Sequence, residues 1–196
     1  LTALFLLLAG VALVFLTGAD QAAQQWSQSW RDHPLARGWA SFAYWAGLGG
    51  LQVGLLALLS AWAWLRFKDF RLPLTLTGMA AIGVSGLLVQ VVKHLVGRPR
   101  PRLALSANEY FGPTFQSDLL AFPSGHATTS FALAAVLSVW YPRGAWLFYL
   151  LATLIALGRV VGNAHHLSDV LAGAVLGLAV GWTLATLVVR RQRRRP

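Results

Sequence analysis

Long apolar runs alternate with short polar stretches along this chain, and the runs have the length a bilayer demands of a helix, about 17 to 25 residues. Six can be read, at about 2–18, 38–65, 72–96, 124–141, 144–161 and 165–189. Residues 19–37 interrupt the pattern: they are polar and amphipathic, with Trp26 and Trp30 placed to rest at the level of lipid headgroups. Residues 97–122 form the one long connection, rich in proline and aromatic residues, and loops of that length usually carry function. The pattern predicts an all-α fold: a polytopic membrane helical bundle of six transmembrane helices, one membrane-embedded domain over 1–196, with 97–122 as an outer loop.

The first run is short enough to be a signal-peptide core. A retained span is expected instead, because no basic segment precedes it and Gly18-Ala19-Asp20 is a poor cleavage site. The chain opens on Leu1 rather than Met, so further sequence is expected upstream.

Composition agrees with the pattern. Hydrophobic residues make up 57% and charged residues 11%, with a mean hydropathy of +0.59, which places the chain among polytopic membrane proteins. A net charge of +10 raises nucleic acid as a partner, but the basic residues flank apolar runs instead of forming a hydrophilic face, so nucleic-acid binding is excluded. Zero cysteines remove a disulfide framework and a thiolate metal site.

Arg66, Lys68, Arg71, Arg143 and the tail Arg190, Arg191, Arg193, Arg194 and Arg195 fall on one side of the spans. Arg31, Arg37, Lys93, Arg98, Arg100, Arg102 and Arg159 fall on the other. The positive-inside rule makes the first side cytoplasmic. The ends that carry His165 and Lys93 then face the periplasm or exterior, across what is expected to be a bacterial inner membrane.

Three polar patches share that outer side. Lys93, Arg98, Arg100 and Arg102 close the third span, where Pro99 and Pro101 stop the helix and let the arginines turn back over its end. Pro123-Ser124-Gly125-His126 opens the fourth span as a capped helix N-terminus with exposed N–H groups, a ready anion site. Arg159 closes the fifth span and His165 opens the sixth. If that last helix begins near Asn163, His165 and Asp169 lie four apart on one face, where the carboxylate can hold one imidazole nitrogen and leave the other to attack. Gly173, Gly177 and Gly181 continue that line at the small-xxx-small spacing that draws helix backbones together. Gly50 and Gly54 repeat it more weakly.

Cations, a hydroxyl, backbone donors, two histidines and a buried carboxylate suit in-line displacement at phosphorus, where catalysis is largely positioning and charge stabilisation. Asp169 has no second carboxylate beside it, and Asp118 and Glu109 lack ligand spacing, so no metal and no cofactor is implied.

Lys93 followed after six residues by Arg100-Pro101, then Pro123-Ser124-Gly125-His126, then Arg159 with five residues before His165 and three more before Asp169, resembles the signature of the type 2 phosphatidic acid phosphatase (PAP2) superfamily. The likeness runs from the third span onward, and the six-span plan is similar to its integral membrane lipid phosphatase branch. The resemblance implies that His165 is the nucleophile and forms a phosphohistidine, that Asp169 orients it, and that His126 protonates the leaving oxygen. It further implies that Lys93, Arg100, Arg159, Ser124 and the Gly125 amide bind the phosphoryl oxygens. One departure stands out: the family often has serine before the arginine of the third motif, and Gly158 stands there, so a hydroxyl donor is missing and needs a substitute.

The expected activity is metal-independent hydrolysis of a lipid phosphate or diphosphate at the outer leaflet, with phosphatidylglycerophosphate, phosphatidic acid, undecaprenyl diphosphate and lipid A as substrate types. Arg98 and Arg102 tip the expectation toward a diphosphate, and Tyr110, Phe111, Phe115 and Phe122 are expected to steady or cover the headgroup. Lipid-to-lipid phosphotransfer through the same site is an alternative, and so is a non-catalytic membrane protein that only binds an anionic lipid.

Overall fold

The computed structural model describes residues 10–14, 17–68 and 72–193. Most of the first expected span, 2–18, lies outside them. Seven helices organise the rest: α1 (Ala19–Trp30), α2 (Pro34–Ala46), α3 (Gly49–Phe67), α4 (Leu72–Val96), α5 (Gly125–Trp140), α6 (Ala145–Val161) and α7 (Leu167–Arg193). No strand occurs among the described residues.

Local chemistry sets the helix ends. Pro34 occupies the first turn of α2 and His33 Nδ1 accepts from the Leu35 N–H at 3.3 Å. Ser124 caps α5, its Oγ accepting from the Ala127 N–H. Gly97, at φ 62°, ends α4 in the left-handed region, and a Cβ there would stand 2.2 Å from the Gly112 carbonyl oxygen. That close approach lets 97–122 fold back, with the Phe111 N–H on the Gly97 carbonyl and the Ala121 N–H on the Arg98 carbonyl, both at 3.0 Å.

The span expected over 38–65 is two helices. The chain breaks at Gly47-Leu48, where Leu48 is extended and Gln52 Nε2 donates to the Ala46 carbonyl that the break leaves open. The reason is tertiary: a side chain at 47 would meet His126 Cδ2 at 2.6 Å and Ile155 Cγ2 at 2.8 Å. Hydropathy carries no trace of this, because both halves are apolar.

α5 is the centre of the bundle. Only 16 residues long, about 24 Å, it buries Ala127, Thr128, Ala132, Ala135 and Val136 against its neighbours. The α7 glycines lie directly on it: a Cβ at Gly173, Gly177 or Gly181 would come within 2.6, 2.2 and 2.4 Å of the carbonyl oxygens of Ser124, Thr128 and Ala132. Gly50 and Gly54 have nothing within 4 Å, so that pair makes no seam. Leu74, Ala81, Ala132, Val136 and Ala185 pack one end of the bundle, and Ala127, Ala156, Val160 and Val170 pack the other.

Four helical stretches among the described residues are long and apolar enough to cross a membrane, Gly49–Phe67, Leu72–Leu103, Pro142–Val161 and Leu167–Arg193. Leu51, Leu55, Leu58, Leu59 and Trp62 stand exposed along α3, a surface that water does not tolerate and lipid does. The chain is an integral membrane protein.

Candidate active site

The last turn of α4, the first turns of α5 and α7 and the last turn of α6 meet at one end of the bundle. Lys93 on α4 is buried and its Nζ donates to the Leu120 carbonyl at 2.6 Å. Arg100 is tied by its Nε to the Ser117 carbonyl at 3.1 Å, and its backbone N–H to the Asp118 carbonyl at 2.9 Å. Arg159 on α6 is buried, lies over the Tyr44 ring at 5.4 Å, and its Nε has no hydrogen-bond partner among the described residues.

The expectation that α7 begins near Asn163 is corrected. The helix begins at Leu167, and His165 and His166 lie in the turn before it. Asp169 is the cause: its Oδ2 accepts from the His166 N–H at 2.7 Å, the back-reaching arm of a capping box, which fixes the start of the helix two residues after His165. The imidazole of His165 is therefore held differently from the expected way. Its Nδ1 donates to the Ala121 carbonyl at 2.8 Å, while Asp169 Oδ2 stands 3.7 Å off. A carbonyl only accepts, so the proton sits on Nδ1 and the lone pair on Nε2. Burial first, then Lys93, Arg100 and Arg159, hold the His165 pKa well below the ordinary histidine value, so the ring is neutral.

His126 is oriented in the same manner, with Nε2 donating to the Tyr44 carbonyl at 3.1 Å and its ring 5.7 Å from that of Tyr44. Its Cδ2–Nε2 edge faces the α2–α3 break, which leaves Nδ1 on the opposite edge. Arg159, His165 and Lys93 are all within electrostatic range of His126. Ser124 is fully buried, and its N–H donates to the Asp169 carbonyl at 2.9 Å, joining the first turns of α5 and α7. Gly125 has open room beside Lys93 Cε, 3.8 Å from where a Cβ would stand.

The structure corrects two further expectations, for the Arg98 and Arg102 pair and for Gly158. Arg98 is fully buried and its guanidinium is bound to Asp20, Ser168, Asp169 and the Ala107 carbonyl, while Arg102 pairs with Asp118 on the surface, so neither stands ready for a second phosphate. Tyr110 and Phe122 lie 5.9 and 6.0 Å from the Arg98 guanidinium carbon, while Phe111 and Phe115 stand exposed on the 97–122 loop, the Phe115 ring 5.0 Å from that of His94. At position 158 a Cβ points at α2, 2.4 Å from Ala43 Cβ and 2.9 Å from Trp39 Nε1. Glycine there serves the packing of α2 on α6, and no hydroxyl toward the cations has been lost.

Asp20, Ser168, Tyr44 and the Ala121 carbonyl escaped sequence reading. A signal existed for Asp20 alone, a carboxylate directly after an apolar run, which needs a partner.

Beside His126 a groove of about 630 Å³ runs along the outside of α3, α4 and α5, floored by Gly49, Gly50, Gly83 and Gly86 and walled by Val53, Ile82 and Leu87.

The family profile of the PAP2 superfamily matches residues 74–193. The chain is 35% identical to the lipid A 1-phosphatase of Rhizobium etli over 108 residues, 54% of this chain and 45% of that protein. It is 34% identical to the decaprenylphosphoryl-5-phosphoribose phosphatase of Mycobacterium tuberculosis over 112 residues, 57% of this chain and 60% of that protein. The chain thus spans less than two thirds of the length of either relative. Among solved structures, the transmembrane PAP2-type phosphatidylglycerolphosphate phosphatase of Bacillus subtilis superposes with a TM-score of 0.72 at 22% identity, covering 99% of this chain and 98% of that one, a likeness of fold. LpxE of Aquifex aeolicus gives 0.60 at 26% identity, covering 79% and 87%.

Proposed function

The chain belongs to the PAP2 superfamily, and from that membership we propose that it hydrolyses the phosphate of a lipid phosphate through a phosphohistidine, without a metal ion. His165 Nε2 attacks phosphorus, the bond from phosphorus to the lipid oxygen breaks, and His126, whose Nδ1 has taken the proton of the bound phosphate monoanion, gives that proton to the leaving oxygen. Water then attacks the phosphohistidine, His126 takes the water's proton, and inorganic phosphate leaves. Lys93, Arg100, Arg159, Ser124 and the Gly125 amide hold the three phosphoryl oxygens as charge moves onto them.

The single observation that carries this reading is the tautomer of His165. Its Nδ1–H is committed to the Ala121 carbonyl, so the lone pair is on Nε2, and Lys93, Arg100 and Arg159 are near enough to act on the ring electrostatically. The apolar groove supports a lipid as the substrate. In-line displacement puts nucleophile and leaving group on opposite sides of phosphorus, and the groove lies on the His126 side, where the tail of the leaving alcohol belongs. With Arg98 and Arg102 both paired with carboxylates, Lys93, Arg100 and Arg159 remain without a carboxylate partner among the described residues and match one phosphate, so a monophosphate is favoured over a diphosphate. The relatives, a lipid A 1-phosphatase and a decaprenylphosphoryl-5-phosphoribose phosphatase, act on such tails by their names. The site faces the periplasm or exterior of a bacterial inner membrane, on the charge distribution of the span ends.

The test is phosphate release by the purified protein with chelator present, across phosphatidic acid, phosphatidylglycerophosphate, undecaprenyl diphosphate and lipid A. Turnover that resists chelator, yields to vanadate as a pentavalent mimic and disappears in His165→Ala is the expected result. Unchanged turnover in that variant, or a strict need for magnesium, would end the proposal.

A further inference from the structure

Asp20, in the first turn of α1, lies outside the segment that the PAP2 profile matches, yet its carboxylate is buried against the turn that carries His165. Oδ1 accepts the Ser168 N–H at 2.8 Å, and Oδ2 accepts the Ser168 hydroxyl at 2.6 Å and Arg98 Nη2 at 2.7 Å. Arg98 spends its other donors on Asp169 Oδ1 at 2.5 Å, Ser168 Oγ at 2.7 Å and the Ala107 carbonyl at 2.9 Å. Asp20, Arg98, Ser168 and Asp169 are 3, 0, 0 and 0% exposed, so a guanidinium shared by two carboxylates is enclosed in the protein.

A cluster with one more carboxylate than guanidinium is a poor way to stabilise a fold, since apolar residues of the same volume commonly do as well or better. It has a use beside a histidine that must become positive. Arg98 bound to Asp169 alone would neutralise it. Drawn between two acceptors, it leaves the Oδ2 side of Asp169, 3.7 Å from His165 Nδ1, with negative character when the attacking imidazole gains charge. The same carboxylate ties α1 to the backbone of the 166–169 turn, and Arg98 ties that turn to the 97–122 loop through Ala107.

We propose that Asp20 is a positioning residue of the active site: it divides Arg98 between two carboxylates, pins the turn before α7, and so sets the charge and place of Asp169 relative to His165. The proposal rests on the reading of His165 as nucleophile, and its test separates the two.

In the full-length protein, Asp20→Asn keeps the shape and removes the charge. The expected result is a kcat at least tenfold lower per folded molecule, with KM within twofold and vanadate affinity weakened in step with kcat/KM. Ser168→Ala, which keeps both carboxylates and the backbone bond to Asp20, should lose about threefold at most. The ¹⁵N signals of His165 in histidine-labelled protein should move in D20N, and this readout stands whether or not the protein turns over any lipid. A kcat within twofold of the parent together with an unmoved His165 signal overturns the proposal, as does a fall in kcat matched by an equal rise in KM. A parent protein that releases no phosphate defeats the functional reading alone, and Asp20 is then decided by the His165 signal.

Discussion

His165 Nδ1 stands 2.8 Å from the carbonyl oxygen of Ala121 and 3.7 Å from Oδ2 of Asp169. The orienting bond therefore belongs to the backbone of the 97–122 loop, and the carboxylate acts across a short gap as a charge. In Asp169→Asn the Nδ1–H tautomer should persist, seen in ¹⁵N spectra. The kcat should fall about a hundredfold, the scale of one electrostatic partner in a transition state. Arg98 would lose Asp169 and keep Asp20, and a lowered thermal midpoint, reflecting about 3 kcal/mol, should accompany the loss.

The pH response of His165 follows from its surroundings. Its pKa is lowered by burial and by Lys93, Arg100 and Arg159, so the neutral form persists as pH falls through the ordinary histidine range near 6.5 and is lost only well below it. Titration of the labelled protein should show His165 unprotonated at Nε2 at pH 6. A midpoint near 6.5 for this ring would contradict the geometry.

Gly158→Ser restores the residue common in the family, and here it should do harm. Its Cβ would come 2.4 Å from Ala43 Cβ, an overpacking worth about 1–3 kcal/mol. Thermal unfolding should show the loss, phosphate release should gain nothing, and Ala43→Gly in the same protein should recover part of the stability.

Gly83 has nothing within 4 Å of its missing side chain and lines the groove beside His126. Gly83→Leu should fill that space without straining the fold. Turnover of long-chain lipid phosphates should fall at least tenfold, while a soluble aryl phosphate, which has no tail to seat, should be hydrolysed within twofold of the parent rate.

The α7 seam offers a matched pair. Gly177→Ala drives a methyl to 2.2 Å from the Thr128 carbonyl oxygen, a backbone atom of the central helix that cannot move aside, so the thermal midpoint should drop. Gly54→Ala meets open space and should be neutral or stabilising by up to about 1 kcal/mol through helix propensity. Equal midpoints for the two variants would mean that the seam is not under load.

Much of the architecture was legible because hydropathy and helix ends are local. The apolar run at 72–96 became Leu72–Val96, and the small-residue line of Gly173, Gly177 and Gly181 became the contact with α5. Lys93, Arg100, His126, Arg159 and His165 were brought to one end of the bundle, since each stands at the end of a run whose direction alternates with its neighbours.

What the residues alone determined, then, was that the chain is a membrane-embedded helical bundle and which polar groups stand at the ends of its apolar runs, since both follow from the cost of placing charge or open backbone in lipid. What only the tertiary structure decided was who holds whom. The break at Gly47 depends on His126, 79 positions away; the role of Arg98 depends on Asp20, 78 positions away; and the orienter of His165 is a carbonyl of Ala121, a group every residue carries. Such pairings have no local signature, because a hydrogen bond is chosen by distance and direction in the folded chain and not by spacing along it.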